Sequence, residues 1–110
     1  FGIHINSLIV SRDEQVVYIN NMEFELTESI METLSVLCEA RLDDEVMSGA
    51  ELEAMISGKR AIDCEEAAGA TRVKRLRDQL GNQIVSQLLV KNIPRKGYML
   101  SIERDAIRML

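Results

Sequence analysis

The residues best equipped for chemistry in this chain are cations. Arg72, Lys74, Arg75 and Arg77 crowd into TRVKRLRDQL, and Arg95 and Lys96 stand side by side in VKNIPRKGYML. An arginine presents a planar fork that matches a phosphate or the O6/N7 edge of guanine, whereas a lysine is a compact point charge. Such groups suit the binding of a polyanion. Groups suited to other chemistry are scarce. His4 is the single histidine, and Cys38 and Cys64 lie far apart with no C-x-x-C pair, so the clustered N and S ligands of a zinc site are not expected. Gly-rich phosphate loops and nucleophile–base spacings are missing. The carboxylates, although abundant, fall at expected helix ends, where they more often cap than catalyse. No enzymatic activity, metal, cofactor or small-molecule substrate is therefore expected. Cys38, inside an apolar helical stretch, reads as a small core residue, and Cys64 as a thiol that could be exposed.

The net charge of −5 argues against nucleic acid when taken as one number. Divided along the chain, it says something else. Residues 1–69 hold 4 Lys/Arg against 15 Asp/Glu, a balance of −11, and residues 70–110 hold 9 against 3, a balance of +6. This asymmetry fits a basic binding end on an acidic body, or else a solvated surface with chance clustering.

The elements that must position these cations can be read from period and punctuation. The 110 residues are enough for one domain with a modest core. No apolar run approaches bilayer length and no signal-peptide pattern opens the chain. Because the first residue is Phe1, a longer parent protein is expected. IHINSLIV (3–10) and VVYINNMEFEL (16–26) alternate and are rich in β-branched residues, with turns at 11–14 and at Asn20-Asn21. They predict about four short antiparallel strands. Thr27 then caps a first helix, with Glu28 in its first turn and Ile30, Met31, Leu34, Leu37 and Cys38 as its apolar stripe, ending near Arg41. Ser48 and Glu51 have capping-box spacing for a short second helix whose buried face is Leu52, Met55 and Ile56. Asp63 and Glu66 have the same spacing and open a third helix, which stops at Gly81. IVSQLLVKNI, a turn at Pro94–Gly97 and YMLSI predict a hairpin. The whole is one α+β unit over residues 1–110.

On a wheel of about 100° per residue, Val73, Leu76 and Leu80 share the core side of the third helix, with Gly69 near them to allow a close neighbour. The opposite side holds Ala68, Thr71 and Arg75, flanked by Arg72 and Lys74, with Arg77 near the edge of the apolar face. A slim, basic helix face can enter the major groove, where Arg75 could fork to guanine and Thr71 touch a thymine methyl. Arg72, Lys74 and Arg77 would meet phosphates. An ordinary amphipathic helix with a solvated basic face explains the helix alone equally well. The basic hairpin tip breaks the tie. A short helix, a turn, a basic helix and a basic-tipped hairpin make a helix-turn-helix with a wing, and Arg95 and Lys96 can then reach the backbone or the minor groove beside the helix. Tyr98 reads as a core anchor.

With these pieces in order, the chain resembles the winged-helix DNA-binding domains of the OmpR/PhoB type, and especially their ToxR/CadC-like branch. VVYINNMEFELTESIMETLSVL looks like the last N-terminal strands and first helix, VMSGAELEAMI like the second helix, TRVKRLRDQL like the recognition helix, and LVKNIPRKGYML like the ToxR-type wing. The likeness covers roughly residues 3–102. It implies a bacterial transcription regulator that binds double-stranded DNA, with helix contacts at Ala68, Thr71, Arg72, Lys74, Arg75 and Arg77 and wing contacts at Arg95 and Lys96. It also implies RNA polymerase as a further partner, dimerisation on DNA, and a cytoplasmic domain whose full-length protein carries a receiver or an inner-membrane anchor. Two departures stand out. Ala67 and Ala70 replace an Arg and an Asp common in the family, and Asp78 sits among the cations.

The acidic clusters Glu39/Asp43/Asp44/Glu45 and Asp63/Glu65/Glu66 serve solubility and the helix dipoles, or offer a surface to a partner protein. A winged-helix adaptor whose basic end docks an acidic protein is the alternative to a DNA reader.

Overall fold

The computed structural model describes residues 4–81 and 84–110. Three short antiparallel strands come first: β1 (Leu8–Ser11), β2 (Val16–Ile19) and β3 (Met22–Glu25). Asn20 and Asn21 both take positive φ between Ile19 and Met22, as a two-residue hairpin requires. The Asn20 side chain also orders the segment before β1. Its Oδ1 accepts from the Asn6 and Ser7 amides, and its Nδ2 donates to the His4 carbonyl. That segment is therefore held without being a strand, and Ile3 lies outside the described residues. The sheet's fourth strand comes from the other end of the chain. β6 (Ile107–Met109) pairs parallel with β1, giving the order β3-β2-β1-β6. The expected fourth antiparallel strand is thus replaced by a long-range parallel one.

Helices α1 (Glu28–Leu42), α2 (Gly49–Ser57) and α3 (Glu66–Gln79) follow. The α1 stripe is buried as expected at Ile30, Met31, Leu34, Leu37 and Cys38. Thr27 is its N-cap residue, but its side chain makes no capping bond. Its hydroxyl accepts from Gln79 Nε2 at 3.2 Å while its amide donates to Gln79 Oε1 at 3.1 Å, which ties the start of α1 to the end of α3.

The capping box of α2 is present, with Ser48 Oγ accepting from the Glu51 amide and Glu51 Oε1 accepting from the Ser48 amide. The buried face of α2 differs from the expectation, since Leu52 is buried and Ile56 partly so, but Met55 is 59% exposed. Gly49 and Glu53, which meet Gly69 and Arg72 of α3, share one side of α2 with Leu52 and Ile56, and their contacts set that rotation.

α3 packs on α2 at a glycine pair. A Cβ placed on Gly69 would lie 2.0 Å from the Gly49 carbonyl oxygen, so the two backbones touch directly. Val73, Leu76 and Leu80 bury the inner face of α3, as the wheel predicts. The expected capping box at its start does not form. Asp63 instead lies in a 3-10 turn and pairs with Arg60, Glu65 is the N-cap without a side-chain bond, and Glu66 reaches across to α2.

The run IVSQLLVKNI divides into a helix, α4 (Ile84–Leu89), and a strand, β4 (Val90–Ile93). Ser86 and Leu89 are buried one helical turn apart, a spacing that a short apolar run does not announce. β4 pairs with β5 (Gly97–Leu100) in the hairpin. The other side of β5 pairs with Met47, whose carbonyl accepts from the Tyr98 amide at 2.7 Å and whose amide donates to the Tyr98 carbonyl at 3.0 Å. Gly97, at φ +137, lets the strand pass there, because a side chain would meet the Met47 carbonyl. Tyr98 packs against the core, as expected. The architecture is α+β: a winged helix-turn-helix with a four-stranded mixed sheet and a separate two-stranded wing.

Candidate nucleic-acid interface

The outward face of α3 is Ala67, Ala70, Thr71, Lys74, Arg75 and Asp78, all exposed. It is turned from the expected centre, since Ala68 is partly buried. Two of the four cations of α3 are committed inside the protein. Arg72 forks onto Glu53 of α2, with Nε donating to Oε2 and Nη2 to Oε1, and the two side chains are only 21% and 19% exposed. The hydrogen bond from Arg72 holds the Glu53 carboxyl below its usual range. Arg77 turns toward the hairpin, where Nη2 donates to the Val90 carbonyl at 2.6 Å and to Asn92 Oδ1 at 2.8 Å. The phosphate contacts expected of Arg72 and Arg77 therefore compete with internal bonds.

Lys74 and Arg75 are different. Both are exposed, and neither makes an ion pair or side-chain hydrogen bond within the described residues. Thr71 is exposed, and its hydroxyl donates to the Ala67 carbonyl at 3.0 Å, which leaves its methyl as the group free to make outward contacts. Asp78 shares this face and places a negative charge one turn beyond Lys74.

The wing presents Arg95 and Lys96, both exposed and, among the described residues, without an ion pair or side-chain hydrogen bond. The turn is Ile93–Lys96, closed by the Lys96 amide donating to the Ile93 carbonyl at 3.0 Å. Pro94 occupies its second position and Arg95 its third, at φ +66. Glycine or asparagine usually fills that position when φ is positive, so Arg95 is held in a mildly strained backbone. Lys91 on β4 is a further exposed cation, unpartnered among the described residues, that the sequence reading overlooked. Alternation about the buried Val90 was the signal that could have found it.

The hairpin runs beside α3. Its base is bonded to Arg77, near the end of the helix, and its tip lines an open groove with Ser48 and Glu66, near the helix start. Glu66 Oε2 accepts from the Gly49 amide at 3.0 Å and Oε1 from the Ala50 amide at 2.9 Å. These bonds, that from Ala50 foremost, hold its carboxyl below its ordinary range. The amides at the start of α2 are thus satisfied from within, by Ser48, Glu51 and Glu66.

No protein-family model matches the sequence, and none of the curated proteins matches it in sequence. Solved structures do match in shape. The DNA-binding domain of E. coli CadC superposes with a TM-score of 0.67 at 18% identity, covering 90% of each chain. The DNA-binding domain of the response regulator AdeR, solved with an intercistronic region, gives 0.60 at 22%, covering 92% of this chain and 99% of that one. The Klebsiella pneumoniae RstA DNA-binding domain, solved with the RstA box, gives 0.66 at 19%, covering 90% and 95%. The fold is the OmpR/PhoB-type winged helix.

Proposed function

We propose that this chain is a sequence-specific DNA-binding regulator of transcription. In this reading α3 lies in the major groove, Arg75 and Thr71 read base edges, Lys74 meets phosphate, and Arg95 and Lys96 grip the backbone or minor groove beside it. The observation that carries it is a group of exposed cations on one helix and the hairpin beside it, Lys74 and Arg75 on α3 and Lys91, Arg95 and Lys96 on the hairpin, none with an ion pair or side-chain hydrogen bond among the described residues. Cations left unpaired on a helix face and an adjoining wing are suited to phosphates, whose neutralisation releases counterions. That AdeR and RstA domains of this shape were solved with DNA supports the same reading. On this reading the domain acts in the cytoplasm, and by analogy with the OmpR/PhoB type two copies sit on adjacent half-sites. Ile62, 83% exposed between α2 and α3, offers an apolar contact for a protein partner, for which RNA polymerase is the candidate.

The test is anisotropy-based binding to genomic DNA fragments at several salt concentrations. Arg75→Ala is expected to weaken the selected site by about 1–3 kcal/mol and relax its base preference, while Lys74→Ala weakens all sequences alike. Absence of DNA binding at low salt, in the chain and in a forced dimer, would overturn the reading and favour a protein-binding adaptor.

A further inference from the structure

Arg77 stands apart from the other cations of α3. Its Nε is buried and has no partner among the described residues, and its Nη2 is spent on the Val90 carbonyl and Asn92 Oδ1. Both hydrogen bonds that α3 makes to the hairpin, among the described residues, come from this one guanidinium. The hairpin needs such a tether. β5 is anchored on one side by Met47 and on the other by β4, so β4 is the outer strand and Arg77 is bonded to it. Val90 and Asn92 are the first and third residues of β4, and the strand runs from them straight into the Pro94–Lys96 tip.

We infer that Arg77 is a positioning residue rather than a phosphate contact: it fixes the wing against the recognition helix, so that Arg95 and Lys96 meet the duplex at the same time as Lys74 and Arg75. This inference rests on the DNA-binding reading above. The physical reason is pre-organisation. Two contact groups on one body reinforce each other only when their relative placement already matches the target, and each loose group costs ordering entropy on binding. A planar guanidinium with two acceptors on one strand sets direction as well as distance, which a lysine in its place could not do.

The experiment is a coupling measurement on a pool of random-sequence duplexes. Salt-dependent affinity is compared for wild type, Arg77→Met, Arg95→Ala/Lys96→Ala and the combined triple variant. Removing the two tip cations from wild type lowers the salt slope by about 1.8, at about 0.9 for each phosphate contact. In the Arg77→Met background the same pair is expected to remove much less, because the untethered wing has already lost its contribution. If the tip pair still removes its full slope there, while Arg77→Met alone removes about 0.9, Arg77 is a phosphate contact and the inference is overturned.

Asn92→Leu removes one acceptor from an exposed site without touching α3. It is expected to give a weaker version of the same coupling, and it carries the test if Arg77→Met does not fold. Amide exchange in the DNA-free protein separates this inference from the reading beneath it. Faster exchange at the Lys96 amide in Arg77→Met, with the β1–β2 amides unchanged, supports the tether even if wild type binds no DNA. Unchanged exchange at Lys96 overturns the tether even if wild type binds DNA well.

Discussion

Replacing Gly69 by alanine sets two physical effects against each other, and the structure decides the sign. Gly69 sits inside α3, where alanine is favoured over glycine by about 1 kcal/mol in an unconstrained helix. Helix propensity alone would therefore rank Gly69→Ala as stabilising. In the fold, the new Cβ would lie 2.0 Å from the Gly49 carbonyl oxygen and 2.3 Å from its Cα, where ordinary contact begins at 3.4 Å. Backbone atoms cannot rotate away as a side chain can, so α2 and α3 must part by roughly 1.4 Å. We assign the overpacking about 3 kcal/mol. The separation also takes Glu66 out of reach of the Gly49 and Ala50 amides, now 3.0 and 2.9 Å away, which costs about 1 kcal/mol as a lost cap. Less the propensity gain of about 1 kcal/mol, the net loss is about 3 kcal/mol. At about 4 °C per kcal/mol, that lowers Tm by about 12 °C. Urea and thermal unfolding measure it, with Ala70→Gly as the control. Ala70 is exposed in the same helix, so this reverse change should cost only about 1 kcal/mol. A Gly69→Ala variant as stable as wild type, or more so, would refute the backbone contact.

Three further outcomes follow from single residues. Arg95→Gly relieves the positive φ of the wing turn and is expected to raise stability by about 1 kcal/mol while lowering the salt slope of DNA binding by about 0.9, an opposition that paired melting and anisotropy experiments would show. Glu66→Ala should cost about 1 kcal/mol near neutral pH by freeing two amides of α2. Because the folded state depresses the Glu66 pKa, its contribution is present above the unfolded value, about 4.5, and is lost as pH falls through the folded one; urea melts should show wild type and variant converging in acid. Burial pushes the Cys38 thiol up to about 12, so mass spectrometry should find it unmodified by a thiol reagent at about pH 8 in the native protein and modified once unfolded, while the partly exposed Cys64 reacts in both.

Much of this protein is legible in its sequence because local rules and packing agree. The apolar stripe of α1, the Ser48–Glu51 capping box and the Val73/Leu76/Leu80 face each follow from spacing within a few residues, as does the wing turn, which closes one residue earlier, at Ile93–Lys96, than the expected Pro94–Gly97. The exposed tip pair Arg95 and Lys96 follows from a turn that leaves them nowhere else to point. Where the sequence misleads, a distant partner intervenes. Met55 has the same apolar character as Leu52, but the backbone contact of Gly49 with Gly69 rotates it to solvent. Asp63 and Glu66 have a capping-box spacing, but Glu66 finds better donors in the empty amides of α2. Ile84–Leu89 is a helix and Ile107–Met109 a strand because of the surfaces that receive them.

The basic segment TRVKRLRDQL shows the division most clearly. Composition and period determine that it is an amphipathic helix with four cations away from its apolar centre. They do not determine which of those cations are available to a ligand. Arg72 is taken by a carboxylate 19 residues earlier and Arg77 by a carbonyl 13 residues later, while Lys74 and Arg75 face open solvent. Helical period sets the angle at which each side chain leaves the axis. What waits at that angle is supplied by chain folded in from elsewhere, so the free charges of the proposed interface are a property of the tertiary structure alone.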